Sequence, residues 1–232
     1  MLRKALNKWI SRIKKSPYEI DPRVPSGYLL RMVVVRVIMK IRGFCIFWAS
    51  SNRPFVGYGV SIRCRSKISL GSSVSIDDHC YIDALSTDGV RLGDNSSMGK
   101  RTKVECTGNI RFLGKGLTAG HDVGLGADCF FGCAGGVEIG DYTIFGNYVS
   151  VHAENHNYSR DDLPIKLQGV THQGIRIGRD CWIGAKATIL DGAVLEDGCI
   201  IAAGALVIAG VYKKYGIYGG VPAKLIKYRF DG

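Results

Sequence analysis

Aliphatic residues recur at every sixth position near the end of the chain and form an unbroken ladder: Ile177, Ile183, Ile189, Leu195, Ile201 and Val207. A small residue stands two positions before each later rung: Cys181, Ala187, Ala193, Cys199 and Ala205. Because six is an even number, each rung and its small partner point to the same side of an extended strand. The spacing fits neither the period of an α-helix, about 3.6 residues, nor ordinary hairpins. It predicts a parallel β-helix, a prism of stacked coils around a narrow apolar interior.

Shorter runs with the same period lie upstream, in triplets that each correspond to one coil. These triplets begin at Leu70, Leu92, Ala119 and Ile139. The period slips around residues 88–89, 108–116 and 135–136, where we expect small bulges at the corners of the prism. The chain contains 31 glycines and only 6 prolines. We expect glycine at the sharp corners, because glycine accepts positive φ.

The N-terminal region has a different pattern. Residues 2–15 predict an amphipathic helix whose apolar face holds Leu2, Leu6, Trp9, Ile10 and Ile13. Such a helix either lies in a membrane interface or packs against the open end of the prism. Residues 28–49 are apolar but carry four cations, Arg31, Arg36, Lys40 and Arg42. Each cation costs several kcal/mol at bilayer depth, so we expect a helix packed partly on protein and partly on a lipid surface, not a spanning helix.

The longest interruption of the repeat is residues 152–174, a polar stretch with three histidines, His152, His156 and His172. A loop of this length inside a compact repeat is usually functional or disordered, and its polar side chains favour a function. The sequence therefore predicts an all-β fold with three regions. They are a basic helical region at 1–54, a β-helix domain at 55–211 that extrudes the loop 152–174, and a C-terminal tail at 212–232.

The positive charge is concentrated at the N-terminal end. Residues 1–67 hold 15 Lys and Arg against 2 Asp and Glu, a net charge of +13, whereas the remainder holds 16 against 18, a net charge of −2. We therefore expect residues 1–49 to make a peripheral contact with an anionic membrane. Nucleic acid is a poorer candidate, since no nucleic-acid-binding motif accompanies the charge.

The eight cysteines show no zinc-finger spacing, and the sequence shows no secretory signal. We interpret them as reduced packing residues, with Cys181 and Cys199 stacked one full coil apart inside the prism. The expected location is therefore the cytoplasm, with peripheral association on the inner face of the cell membrane.

Three segments together resemble the hexapeptide-repeat acyltransferases: residues 146–156 with the loop that follows, residues 181–185 and residues 219–224. The closest group contains maltose, galactoside and xenobiotic O-acetyltransferases and the O-acetyltransferases of bacterial surface polysaccharides. The resemblance covers roughly residues 55–228. It implies a left-handed β-helix, a homotrimer with active sites between neighbouring prisms, acetyl-CoA as co-substrate and no metal.

The matching motif makes His156 the general base. A sugar hydroxyl is a weak nucleophile until its proton is removed during attack on the thioester carbonyl. Histidine suits this task because its unperturbed pKa of about 6.5 leaves it mostly neutral at pH 7. The competitor is His152, which follows the rung Val151 directly and is expected at a coil corner. His121, in another coil, is expected to be structural or to contact the acceptor.

The resemblance also assigns residues to CoA: Trp182, Gly184, Ala185, Ala203, Lys224 and Lys227. Trp182 would pack near the pantetheine arm, the small residues would let that arm approach the coil, and the lysines would neutralise phosphate charge. The chain departs from the family where Ile208 and Ala209 replace a usual Thr-Lys pair. Lys213 or Lys214 is a candidate replacement for the missing lysine.

The function that this resemblance implies is acetyl transfer from acetyl-CoA to a hydroxyl of a surface polysaccharide or lipid-linked sugar, directly within a ternary complex. Cys129 and Cys133 are expected to be core residues, so no acyl-enzyme nucleophile is predicted. The alternative is N-acylation of an amino sugar or nucleotide sugar. Two other classes are a zinc lyase of the γ-carbonic-anhydrase type, which would need ligands such as His121, His152 and His156 to converge, and a non-catalytic scaffold.

Overall fold

The computed structural model describes residues 2–14, 17–48 and 52–230. Within these ranges the chain begins with helix α1 (Leu2–Lys14) and helix α2 (Ser26–Ile46), which pack against each other. The predicted N-terminal helix is therefore present, and Lys15 lies outside the described residues. The side chains of Leu2, Trp9 and Ile13, predicted for its apolar face, also lie outside the described part.

The remainder consists of short strands. In chain order they are β1 (Phe55–Val56), β2 (Ser61–Arg63), β3 (Ile68–Leu70), β4 (Ser75–Ile76), β5 (Tyr81–Asp83), β6 (Gly89–Leu92), β7 (Ser97–Met98), β8 (Lys103–Glu105), β9 (Gly116–Ala119), β10 (Gly124–Leu125), β11 (Phe130–Gly132), β12 (Val137–Ile139), β13 (Ile144–Phe145), β14 (Ser150–His152), β15 (Asn155–His156), β16 (Val170–Thr171), β17 (Ile175–Ile177), β18 (Trp182–Ile183), β19 (Thr188–Leu190), β20 (Ala193–Leu195), β21 (Ile200–Ile201), β22 (Leu206–Val207), β23 (Gly210–Tyr212), β24 (Gly216–Gly219) and β25 (Lys224–Tyr228). Two 3₁₀ turns, Arg65–Lys67 and Ile165–Leu167, accompany them.

These strands form the three faces of a left-handed parallel β-helix. The first face stacks β1, β4, β7, β10, β13, β18, β21 and β24, and β25 closes it in antiparallel orientation. The second face stacks β2, β5, β8, β11, β14, β19 and β22. The third face stacks β3, β6, β9, β12, β17, β20 and β23. The parallel stacking continues through β24, so the sequence-based boundary at residue 211 lies inside the last coil.

The core lies inside the prism, as the six-residue ladder predicts. Its rungs from Ile177 to Val207 are buried, and so are their small partners, including Cys181 and Cys199. Full burial of one aliphatic side chain contributes about 1.5–3 kcal/mol, so the regular rungs stabilise every coil. All eight cysteines are free thiols; six are buried, while Cys45 and Cys64 are exposed.

Residues other than glycine take positive φ at many corners of the prism, which the sequence did not predict. Twelve non-glycine residues of the described chain take positive φ, among them Lys186 at 61° and Tyr148 at 61°. Several corner glycines instead allow close stacking: a Cβ on Gly146 would lie 2.6 Å from the Ala185 nitrogen in the next coil. A Cβ on Gly184 would lie 2.5 Å from the Ala203 nitrogen. Glycines such as Gly146 and Gly184 therefore serve backbone approach between coils, whereas eleven other glycines of the described chain take positive φ, as expected.

Helix α2 packs against β1 at the N-terminal end of the first face. Leu29, Met39 and Gly43 form its buried side. Gly43 is required there, since an added Cβ would lie 1.9 Å from the carbonyl oxygen of Pro54. Neither helix in the described ranges combines the length and the hydropathy that crossing a bilayer demands.

Candidate active site

The 152–174 interruption forms a β-hairpin that leaves the prism between the second and third faces. Its strands β15 and β16 pair antiparallel, with Asn155 opposite Thr171 and His156 opposite Val170. The amide of Asn157 extends the ladder by donating to the carbonyl of Gly169 over 3.0 Å. We call residues 154–172 the His156 hairpin.

Both ends of the hairpin are fixed to the prism. On the outgoing side, the Ala153 amide donates to the Gly132 carbonyl over 2.9 Å. On the returning side, the fully buried carboxylate of Asp191 accepts from the amides of Gln173, at 2.9 and 3.1 Å, and Gly174, at 2.8 Å. The carboxylate thus satisfies two donors where the chain re-enters the third face.

A side-chain pair lies at the base of the hairpin. His172 Nε2 and Glu154 Oε2 are 2.8 Å apart, and both side chains are about 30% exposed (29% and 31%). They flank the ladder next to the Asn155–Thr171 pair, so they join the two chain segments below His156. Sequence reasoning assigned His172 no role, because contact between residues 154 and 172 depends on the hairpin register.

The outer part of the hairpin is held by Gln168. Its side-chain amide donates to the carbonyls of Arg160 and Leu163, each over 2.7 Å, and its oxygen accepts from the Arg160 amide over 3.0 Å. Arg160 also forms an ion pair with Asp162. The loop is therefore an ordered arm with its own hydrogen bonds.

His156 is exposed on this arm. Among the described residues, no hydrogen bond or ion pair involves its imidazole ring. An exposed and unengaged imidazole on a projecting arm is available to a substrate or to a neighbouring molecule.

His152 lies in a different environment, on β14 in the second face. Its Nε2 is 2.7 Å from Ser150 Oγ, and its ring centroid is 5.4 Å from that of Phe130. Burial lowers the pKa of His152 below its ordinary value. Its ring therefore packs on the prism surface and does not project from the prism as the ring of His156 does.

The other histidines belong to the prism. His121 Nδ1 accepts from the Asp94 amide over 3.0 Å at the edge between the third and first faces. His79 packs edge-on against Tyr58, with ring centroids 5.5 Å apart. Among the described residues, no three His, Cys, Asp or Glu side chains are grouped closely enough to hold a metal ion.

The residues assigned to CoA lie on the first face or along its edge with the second. Trp182 is opposite Ile200, Ile200 is opposite Ile217, and Ile217 is opposite Lys227. With strands about 4.8 Å apart, this row spans roughly 14 Å. Trp182 is 53% exposed, so the row presents an aromatic ring at one end, aliphatic groups between and a cation at the other. Lys224 lies on the same strand as Lys227.

The edge between the first and second faces is lined by small residues. Gly184 donates to the Ile201 carbonyl over 2.7 Å, and Gly204 donates to that of Ala185 over 2.9 Å. Ala203 is exposed and Ala185 is half-buried. With no larger side chain at these positions, an elongated ligand could approach the backbone of both coils.

Lys213 and Lys214 lie at another edge, between the third and first faces. Lys213 Nζ is 3.3 Å from Glu196 Oε1, and the Lys214 amide donates to Glu196 Oε2 over 2.8 Å. Lys214 also lines a concavity of about 730 Å³ on the third face, together with Glu138 and Arg176. His156 and Trp182 do not line that concavity, so its volume alone does not identify the reaction site.

The thiols near these elements are poor nucleophile candidates. Burial raises the pKa of Cys129 and of Cys133, and it raises that of Cys181 to about 11. Such thiols remain protonated near neutral pH, and a protonated thiol attacks a thioester weakly.

Residues 174–209 match the family described as bacterial transferase hexapeptide (six repeats). A protein named as a probable acetyltransferase of Mycobacterium tuberculosis is 32% identical over 140 residues, which are 60% of this chain and 42% of that protein. The chain therefore spans less than half the length of this curated relative.

Two solved structures share the fold. Both are single-site mutants of AntD, an N-acyltransferase from Bacillus cereus, in complex with dTDP-4-amino-4,6-dideoxyglucose and coenzyme A. One mutant has a TM-score of 0.51 at 22% identity and covers 75% of this chain and 80% of its own. The other has a TM-score of 0.50 at 22% identity and covers 79% of this chain and 87% of its own.

Proposed function

We propose that the chain is a hexapeptide-repeat acyltransferase that transfers an acetyl group from acetyl-CoA to a hydroxyl of a surface-polysaccharide or lipid-linked sugar. The matches to the hexapeptide transferase family and to a probable acetyltransferase support this proposal. His156 is the general base, and transfer is direct within a ternary complex. The observation that carries this proposal is the exposed, unengaged imidazole of His156 on an anchored arm.

The position of the arm supports an active site built from two chains. In a three-sided prism, the edge between the second and third faces is opposite the first face. The His156 hairpin leaves from that edge, whereas Trp182 and Lys227 lie on the first face. One chain therefore holds the base and the CoA row on opposite sides. A homotrimer of neighbouring prisms would bring one chain's His156 to another chain's first face.

The first face fits acetyl-CoA. The row from Trp182 to Lys227 offers apolar contact to an elongated arm and a cation to phosphate, and Ala185 and Ala203 leave the adjacent edge open. Bound there, the thioester supplies an activated acyl carbonyl. The chain's own contribution is to orient the acceptor hydroxyl and to accept its proton at the His156 imidazole during attack.

The acceptor atom separates the two candidate functions. The AntD structures carry an amino sugar on a nucleotide, which keeps N-acylation of an amino sugar or nucleotide sugar as the second candidate. The reaction classes differ in product: a hydroxyl gives an ester, which mild alkali cleaves, and an amine gives an amide, which survives.

Purified full-length protein, acetyl-CoA and a panel of neutral and amino sugars, free and lipid-linked, test the proposal. We expect CoA release that depends on a hydroxyl acceptor and a product whose acetyl group alkali removes. His156→Ala should lower the transfer rate by about 10²–10⁴-fold, the usual contribution of general base catalysis. His152→Ala is the matched control and should retain most of the activity. An alkali-stable product would establish the amine acceptor, and undiminished transfer by His156→Ala would exclude the assigned base.

A further inference from the structure

The outward side of α2 carries an uninterrupted apolar surface. Six of its side chains are each between 41% and 59% exposed: Leu30, Val34, Val37, Ile38, Ile41 and Phe44. At 3.6 residues per turn these six positions fall within a sector of about 120°. We call this surface the apolar strip. A contiguous exposed surface of this kind marks a contact with another molecule or a membrane.

Cations border the apolar strip on both sides. Arg31 and Arg42 follow one border and Lys40 follows the other, by the same helical spacing. The Arg42 guanidinium lies 5.6 Å from the ring centroid of Tyr58, and Lys40 Nζ lies 4.6 Å from that of Phe55. Both cationic groups therefore lie over aromatic rings of the prism beside the strip, and the Lys40 ammonium also donates to the carbonyl of Arg53.

The opposite side of α2 is fixed to the protein. Its buried residues pack on β1, and Arg36 Nη1 donates to Ser75 Oγ over 2.9 Å. Helix α1 is held as well: Asn7 Oδ1 accepts from the Ile20 amide over 3.0 Å, and Arg3 Nη2 donates to the Val24 carbonyl over 2.6 Å. The strip is therefore presented by a helix that is rigidly attached to the prism.

We propose that the apolar strip of α2 lies in the interface of an anionic lipid bilayer, parallel to its surface, and docks the N-terminal end of the prism on the membrane. An in-plane helix needs an apolar sector bordered by cations, and α2 has both. Neither α1 nor α2 contains an acidic residue, whereas together they contain nine Lys and Arg. Anionic headgroups complement this charge.

The same charge argues against a second copy of the chain as the occupant. Two α2 helices packed strip to strip would bring their Arg31, Lys40 and Arg42 rims together without an acidic partner from either helix. Like charges at close range repel, and burial would remove the water that screens them. Lipid phosphate has the opposite effect on the same cations.

This proposal does not depend on the proposed acetyl transfer, since membrane docking involves neither His156 nor acetyl-CoA. It refines the sequence-based expectation for residues 1–49 by assigning the lipid contact to α2. By periodicity alone, the cations of residues 28–49 lie all around the helix. Only the packing of α2 on β1 shows which side of the helix is covered by the prism and which side is exposed.

Vesicle flotation of the full-length chain tests the proposal. The protein should float with phosphatidylcholine–phosphatidylglycerol vesicles, bind pure phosphatidylcholine more weakly, and lose binding as salt screens the charges. The double variant Val34→Asp with Ile41→Asp should weaken binding to anionic vesicles by at least about tenfold. It replaces two apolar side chains that would enter the bilayer interface with negative charges.

The matched control is Ile110→Asp with Phe112→Asp, which places two aspartates on another exposed apolar segment, with side chains 86% and 67% exposed. It should float like the wild-type chain. Arg31→Glu provides an independent variant that leaves the strip intact, and it should weaken binding to anionic vesicles only. Circular dichroism and light scattering verify the fold and the mass of each variant.

Three results would overturn the proposal. They are a wild-type chain that stays unbound, equal loss in both double variants, and a lower assembly mass of the Val34→Asp, Ile41→Asp variant without vesicles. The last result would assign the strip to contact between copies. If the strip variant fails to fold, unchanged binding of Arg31→Glu would still contradict the anionic partner.

Discussion

His152 and His156 are only four residues apart, yet their surroundings differ completely. The side chain of His152 lies against Phe130 and Ser150 on the prism, whereas His156 is exposed on the hairpin. In the sequence both were histidines at the start of a polar loop, and the motif of the resemblance favoured His156. The structure adds the physical difference between a ring fixed on a sheet and a ring on an arm.

The lowered pKa of His152 predicts a pH dependence of stability. Burial keeps the folded-state pKa below the unfolded value of about 6.5. Stability from the neutral ring is therefore present above about pH 6.5 and is lost as pH falls through the folded pKa, because the unfolded chain then binds the extra proton. In urea titrations between neutral and mildly acidic pH, His152→Gln should show a shallower loss of stability. A slope in His152→Gln equal to that of the wild-type chain would contradict the environment described for His152.

Ala203 tests the open edge of the first face. Ala203→Leu adds bulk where CoA is proposed to approach the coil, so the KM for acetyl-CoA should rise by roughly tenfold, corresponding to about 1.4 kcal/mol of binding. The Tm should stay near that of the wild type, because the side chain is exposed. Ala127→Leu is the matched control, on the same edge of the prism in an earlier coil. Initial-rate kinetics give the KM for acetyl-CoA of both variants. An equal rise in both variants, or no rise in either, would contradict the assignment of Ala203 to the CoA site.

At the scale of elements, the position of the hairpin could be predicted from the sequence, but its internal contacts could not. The loss of the six-residue period located residues 152–174, but it could not show that β15 pairs with β16. Nor could it show that Asp191, one coil further on, caps the returning end. Such contacts link residues far apart in the chain and follow no period. Gly146 and Gly184 could be located in the sequence. The requirement for glycine there comes from the backbone of the neighbouring coil, which lies too close for a Cβ.

Asp191→Ala would leave the Gln173 and Gly174 amides without their buried acceptor. Each unsatisfied group costs about 1–3 kcal/mol, so we expect a lower Tm and faster hydrogen–deuterium exchange across residues 154–172. Asp197→Ala is the matched control, since Asp197 Oδ1 accepts from the Arg179 amide over 2.9 Å at an edge that carries no hairpin. Its exchange effect should stay local. Unchanged exchange of the hairpin in Asp191→Ala would contradict the anchoring role of this carboxylate.

At the scale of the whole molecule, the regular repeat could be predicted because each coil buries the same kind of residue at the same interval. The rungs and their small partners, Cys181 and Cys199 included, are buried as expected. The N-terminal region was less predictable. Its charges surround α2 in the sequence, and only packing on β1 shows that Leu30, Ile41 and Phe44 share an uncovered sector.

The central claim is that one chain's His156 acts at another chain's first face, and mixed trimers test it most directly. His156→Ala removes the base, and Ala203→Trp obstructs the proposed CoA edge, so each homotrimer should be nearly inactive. Co-assembled chains would contain interfaces in which an intact His156 hairpin meets an intact first face. Acetyl transfer measured on purified mixed trimers should therefore recover to a substantial fraction of wild type. Activity that stays at the level of the two parent variants would contradict the shared site.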